Sequence, residues 1–172
     1  MIDFVLQNTA FSIAAFVAVV ATAFTVTGRN PVHALLYLIV SLLAIALIFF
    51  LFGAPFAALL EVIVYAGAIM VLFVFVVMML NLGQEAVTQE TKLLAPRIWV
   101  GPALLAGLLL VELVVLMMQG TLASGEIHAV GTEITAKQVG IALYGPYLLA
   151  VELASMLLLG GLVAAYHLGR HE

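Results

Sequence analysis

Five runs of roughly twenty or more apolar residues, each ended by a short polar or turn-forming stretch, constrain this chain more than any other feature. They cover about residues 4–27, 32–52, 56–82, 98–119 and 146–167. A bilayer core about 30 Å thick takes about 20 apolar residues to cross as a helix. The expected fold is therefore all-α: a polytopic membrane protein with five transmembrane helices, forming one membrane domain over residues 1–172. Composition agrees, with 66% hydrophobic and 8% charged residues against about 45–50% and about 25% in soluble domains. The solvent is lipid or other membrane proteins.

Charge and cysteine content exclude several functions. The formal net charge is −4 and the acids are scattered, so there is no basic footprint for nucleic acid. The absence of cysteine excludes disulfides, Fe–S clusters and Cys-ligated zinc within the chain. The first run has Asp3 and no Lys or Arg ahead of it, and it is too long for the apolar region of a signal peptide, so it reads as a retained span. Five spans place Arg29, Lys92, Arg97 and Arg170 on one side and Lys137 alone on the other. The positive-inside rule then sets the N-terminus outside (periplasmic) and the C-terminus in the cytoplasm.

Turn chemistry marks the joints. Asn30-Pro31 offers a helix N-cap followed by proline at the first helical position. Gly53-Ala-Pro55 allows only a tight reversal between the second and third spans. Residues 83–97 read as a polar cytoplasmic loop ending at Pro96, and 120–138 as the longest connection, rich in Gly, Ser, Thr and Glu. A short interfacial helix is expected over 139–145. No internal repeat is visible, which argues against an inverted-repeat transporter.

Three carboxylates interrupt the spans. Counting about 1.5 Å of rise per residue, Glu61 lies about 8 Å into the third span, Glu112 about 10 Å from the end of the fourth, and Glu152 about 9 Å beyond Pro146. All three fit one layer in the outer half of the membrane, where a charge needs a partner, water or a function. Each has an ordinary alternative. Glu61 suits the positive end of a helix dipole. Glu112 is expected to point to solvent or headgroups. Glu152, between Tyr147-Leu-Leu-Ala-Val and Leu-Ala-Ser-Met-Leu-Leu-Leu, is harder to place outside a functional or inter-subunit role.

Helical geometry arranges these groups. On an ideal helix at about 100° per residue, Glu61, Tyr65, Ala68 and Leu72 share one side of the third span. Gly67 leaves a weak point in a segment otherwise stiffened by β-branched residues. On the fifth span Ala150, Ala154, Gly161 and Ala165 form a small-residue stripe suited to close helix packing. Glu152 and Tyr166 fall opposite it, with Ser155 at the edge. Two such faces imply partner subunits. His33, His167 and His171 lie near helix ends, too close to the boundary for haem and without a third zinc ligand in view. No phosphate loop, dinucleotide fingerprint or nucleophile triad appears, so bond chemistry within this chain is not expected.

Three blocks carry a family resemblance: Asn30-Pro-Val-His33-Ala-Leu-Leu-Tyr37-Leu, the stretch from Glu61-Val-Ile-Val-Tyr65-Ala-Gly67-Ala-Ile-Met to Asn81, and Gly145-Pro-Tyr-Leu-Leu-Ala-Val-Glu152-Leu-Ala-Ser. The chain resembles the subunit J family of bacterial proton-pumping NADH:quinone oxidoreductase, counterpart of mitochondrial complex I chain 6. The resemblance implies a bacterial inner-membrane subunit without a redox cofactor, in a complex that holds FMN, Fe–S clusters and quinone. It implies packing between the quinone-site subunit and an antiporter-like subunit, against the small subunit K. It further implies a π-bulge beside Tyr65 whose conversion to α-helix opens or closes a water path. Glu61, Tyr65, Gly67, Met70, Leu72 and Phe73 are then the gate and path candidates, with Glu152 a second polar contact. Glu112 falls outside the family pattern and receives no role. The alternatives are a purely structural scaffold subunit, or the same module in a ferredoxin- or deazaflavin-linked complex.

Overall fold

A computed structural model describes the backbone of residues 2–28, 30–80, 96–123 and 134–170. All regular structure in these residues is helical: α1 (Ile2–Thr27), α2 (Pro31–Leu51), α3 (Pro55–Leu60), a π-helical piece π1 (Glu61–Ile69), α4 (Met70–Leu80), α5 (Pro96–Ala123), α6 (Ala136–Leu143) and α7 (Leu148–Gly169). Five stretches are long and apolar enough to cross a membrane: Asn8–Thr27, Pro31–Leu51, Pro55–Val77, Trp99–Met118 and Leu148–Gly169. Their number is the five expected. Residues 83–95 of the expected polar loop lie outside the described residues, as do 124–133 of the long connection, Arg29, Asn81 and His171.

The chain divides into two compact units, Met1–Glu133 and Ile134–Glu172. In the first, α1 and α2 form an antiparallel pair. Their seam sets short side chains of α1 (Ala10, Ala14, Val17 and Ala21) against Tyr37, Val40, Ala44, Leu47 and Leu51 of α2, at alternating three- and four-residue spacing. Lipid is as apolar as these residues, so close packing rather than expulsion from water holds the pair. Phe11 stacks on Phe52 at one end (5.6 Å) and Phe24 on Tyr37 at the other (5.0 Å). Between them the Thr22 and Ser41 hydroxyls meet at 2.8 Å, and the Ser41 hydroxyl also donates to the Ala18 carbonyl (3.3 Å). α5 lays Leu109 into this core, with Leu105, Ala106 and Leu116 packed against it.

The joints follow the sequence. Asn30 caps α2, its Oδ1 accepting from the Val32 and His33 amides at 3.1 and 3.4 Å. Gly53, at φ 75°, ends α2. Its amide donates to the Phe50 carbonyl and the Ala54 amide donates to the Phe49 carbonyl, a Schellman closure that needs the left-handed conformation glycine tolerates. Pro55 then starts α3 at its first position.

In the second unit, the short helix begins earlier than expected, at Ala136. The cause is a capping box: Gln138 Oε1 accepts from the Thr135 amide (2.9 Å), while the Thr135 hydroxyl accepts from the Gln138 amide (3.4 Å). Tyr144–Tyr147 turn around Pro146, with the Tyr147 amide donating to the Ala142 carbonyl (3.2 Å). The last span consequently starts at Leu148 and runs to Gly169, two residues later than expected at each end.

Candidate functional site

The third span is one continuous rod made of three windings, α3, π1 and α4. Among its buried or half-buried side chains, Ala58, Glu61, Ala66, Met70, Val74 and Val77 trace the line facing the bundle. Their spacing is three, then five, then four, four and three. The step of five, from Glu61 to Ala66, is the π signature: hydrogen bonds run from residue i to i+5 and admit one extra residue into the turn. At the far end of the piece the Met70 amide donates to the Tyr65 carbonyl, five residues back, and shares that bond with Gly67.

This winding corrects one expectation. Glu61, Tyr65, Ala68 and Leu72 do not share a face, because the extra residue shifts everything after Glu61. Glu61 is 9% exposed, whereas Tyr65 is 52% and Leu72 is 63% exposed. Met70, rather than Tyr65, comes to the same side as Glu61. Among the gate candidates, Glu61 and Met70 are turned toward α2, which packs along α3, π1 and α4. Tyr65, Leu72 and Phe73 are turned outward. Gly67 is half-buried in the π turn, and a Cβ there would stand 3.1 Å from the Val62 carbonyl oxygen, five residues back.

A second correction concerns Glu112. It is not directed to solvent or headgroups. It lies on the same face of α5 as Leu105, Leu109 and Leu116, is 8% exposed, and both carboxylate oxygens are sealed without a hydrogen-bond partner among the described residues. Sequence depth alone could not show this, since a residue about 10 Å from a helix end can face either way. Glu152 lies in the second unit and is exposed, with the Ser155 hydroxyl donating to its backbone carbonyl (2.7 Å). His33 rests its ring against Tyr37 (centroids 4.9 Å apart), and its Nε2 is buried without a partner among the described residues. No group of three or more His, Cys, Asp or Glu among the described residues could hold a metal ion.

A further close approach was invisible in the sequence. The Tyr37 hydroxyl sits where a Cβ on Gly101 would be, so the absent side chain lets α2 and α5 close on each other. Gly101 precedes Pro102, buried in the helix interior.

Long apolar helices, a sealed carboxyl and a π-wound third span define a polytopic helical membrane protein with a break in one span, of the kind that gathers at functional sites. Comparison with known proteins gives the family. A model of the NADH-ubiquinone/plastoquinone oxidoreductase chain 6 family matches residues 21–168. NADH-quinone oxidoreductase subunit J of Pseudomonas aeruginosa is 66% identical over 163 residues, 95% of this chain and 96% of the relative. The subunit J of Escherichia coli K12 is 58% identical over 163 residues, covering 95% of this chain and 86% of its own. That of Buchnera aphidicola subsp. Schizaphis graminum is 48% identical over 162 residues, covering 94% and 97%. The chain belongs to the chain 6 family of NADH-ubiquinone/plastoquinone oxidoreductases, whose members named here are oxidoreductase subunits. The resemblance read from residues 30–38, 61–81 and 145–155 is borne out.

Proposed function

We propose that this chain is a membrane-arm subunit of a bacterial NADH:quinone oxidoreductase, and that its third span couples quinone reduction to proton movement. The observation that carries the reading is the π-helical piece Glu61–Ile69, headed by a buried carboxyl and placed in a span that otherwise winds as α-helix. A π turn and an α turn differ by one residue, so interconversion turns the residues beyond it by about 100°. Met70 would leave the face it shares with Glu61, and Leu72 or Phe73 would change places with it. Bulky apolar side chains moved in this way wet or dry a narrow path. Glu61 is the polar group at the head of that path and Tyr65 lies within the converting turn. Glu152, on α7, is a separate polar contact for a neighbouring subunit.

In this reading the chain holds no redox cofactor. FMN, Fe–S clusters and quinone belong to other subunits, and its neighbours are the small subunit K, the quinone-site subunit and an antiporter-like subunit. It resides in the bacterial inner membrane with the N-terminus periplasmic and the C-terminus cytoplasmic, as the Lys/Arg distribution favours.

Two experiments test this. Purification of the chain from solubilised membranes should bring flavin- and Fe–S-containing subunits with it; their absence would overturn the assignment to the complex. In the assembled complex, Tyr65→Phe and Gly67→Val should lower the proton gradient formed per NADH oxidised. Wild-type pumping in both variants, with assembly intact, would leave only a scaffold role.

A further inference from the structure

Glu112 is a buried carboxyl that the coupling element does not use. We infer that Glu112 is an intramembrane proton-binding site, carrying its proton as a neutral acid within the core formed by α1, α2 and α5, at the level of Glu61 across α2. The inference rests on burial and packing, and stands whether or not the third span is a gate.

Glu112 lies between Leu109 and Leu116 on the face of α5 that meets the α1–α2 seam, whose buried residues include Ala14, Val17, Ala44 and Leu47. Charged and titratable residues of the packed elements are few. α1 has only Asp3, near its start; α2 has only His33, in its first turn, and Tyr37, one turn later; α5 has, besides Glu112, only Arg97, in its first turn. An ion in such a place loses its hydration and gains nothing in exchange, whereas a neutral acid loses far less.

The site does not suit the other ligands a carboxylate takes. Sodium, calcium or magnesium would require several oxygen ligands, whereas the buried cluster that Leu109 enters is hydrophobic and neither carboxylate oxygen has a hydrogen-bond partner among the described residues. A lysine or arginine from a neighbouring subunit would have to reach the carboxylate oxygens. Both oxygens are covered by this chain's own atoms, so that contact would require opening the core. A proton is the one cation that needs neither extra ligands nor an open surface.

Glu112 and Glu61 also stand at one level of the bundle. Glu112 is eleven residues beyond Gly101, which packs on Tyr37, about 16 Å of helical rise. The same rise from Tyr37 along α2 ends near Ile48. Glu61 is eight residues past the reversal at Gly53, about 12 Å, which brings it beside the stretch of α2 near Ile45. α2 packs on both π1 and α5, so two buried carboxyls flank one turn of the same helix.

The test compares the intact complex carrying wild-type subunit with complexes carrying Glu112→Gln or Glu112→Asp. Glutamine keeps the shape and the neutrality, so Glu112→Gln should assemble at wild-type yield. Infrared spectra of protein-matched samples should then lose the carbonyl band of a protonated carboxyl, a band that shifts in D2O. Assembly of Glu112→Gln with that band unchanged, or with loss of ionised-carboxylate bands instead, would overturn the proposal. So would failure of Glu112→Gln to assemble: rescue by Glu112→Asp would identify a needed negative charge, and failure of both a carboxyl held by shape and ion pairing together. Proton pumping is not the readout, so a non-pumping complex would defeat the coupling reading and leave this one standing.

Discussion

Glu61 and Met70, nine residues apart, are buried on the same side of the third span, 9% and 5% exposed. In an uninterrupted α-helix nine residues turn the chain by two and a half turns, about 900°, and the two would face opposite ways. The extra residue of the π turn takes back about 100° of that half turn and brings both onto the buried side. Their shared face is therefore a direct report of the winding between them.

Removing one residue from the turn should separate winding from orientation. Deletion of Ile63, exposed in the π piece, would convert the five-residue step into four, leaving an α-helix with Glu61 and Met70 still facing α2. The complex should assemble and oxidise NADH, yet lose most of its proton gradient per NADH, because no alternative winding remains. A wild-type gradient in that deletion would refute the coupling role of the turn.

Graded crowding at Gly67 offers a milder version. A Cβ there would lie 3.1 Å from the Val62 carbonyl oxygen, tight but adjustable. Gly67→Ala should lower the gradient per NADH in part and the branched Gly67→Val should lower it further, with the amount of assembled complex unchanged. Wild-type pumping in both variants would show that the turn tolerates a side chain at no functional cost.

The approach of Tyr37 to Gly101 predicts a stability effect. Any side chain at Gly101 collides with the Tyr37 hydroxyl, and overpacking of this kind costs about 1–3 kcal/mol. Gly101→Ala should lower the thermal stability of the solubilised complex, and Tyr37→Phe in the same chain should restore part of the loss. A double-mutant cycle measures the coupling; additive effects would place the two residues out of contact.

The hydroxyl pair between α1 and α2 should contribute modestly. Ser41 is 2% exposed and meets Thr22 at 2.8 Å. Side-chain hydrogen bonds between membrane helices average about 0.6 kcal/mol, so Ser41→Ala should cost roughly that amount. Ser41→Leu should cost more, because the seam at Ala18 and Ala21 has no room for it. Denaturant titration of the complex distinguishes the two.

At the start of α2, Asn30→Ala removes the acceptor of two amides and should cost about 1 kcal/mol. Asn30→Asp or Asn30→Ser should retain most of the stability, since either side chain can cap the same amides.

The sequence by itself determined the five spans, because apolar length against bilayer thickness is a one-dimensional property. It also determined the joints at Asn30-Pro31 and Gly53-Ala-Pro55, where each residue has a single local function that no distant contact overrides. A break in the winding beside Tyr65 was expected from the family pattern, and a π-helical piece is found over Glu61–Ile69. The face of that stretch was not legible. Periodicity read at about 100° per residue grouped Tyr65 and Leu72 with Glu61, while the structure groups Met70 with it, because one inserted residue is silent in composition and decisive in rotation. Glu112 was likewise legible only as a depth. Whether it met lipid headgroups or the seam of α1 and α2 depended on which face of α5 carried Leu109 inward. Only the tertiary structure decided that, because a helix fixes the spacing of its side chains but not the direction from which its neighbours approach.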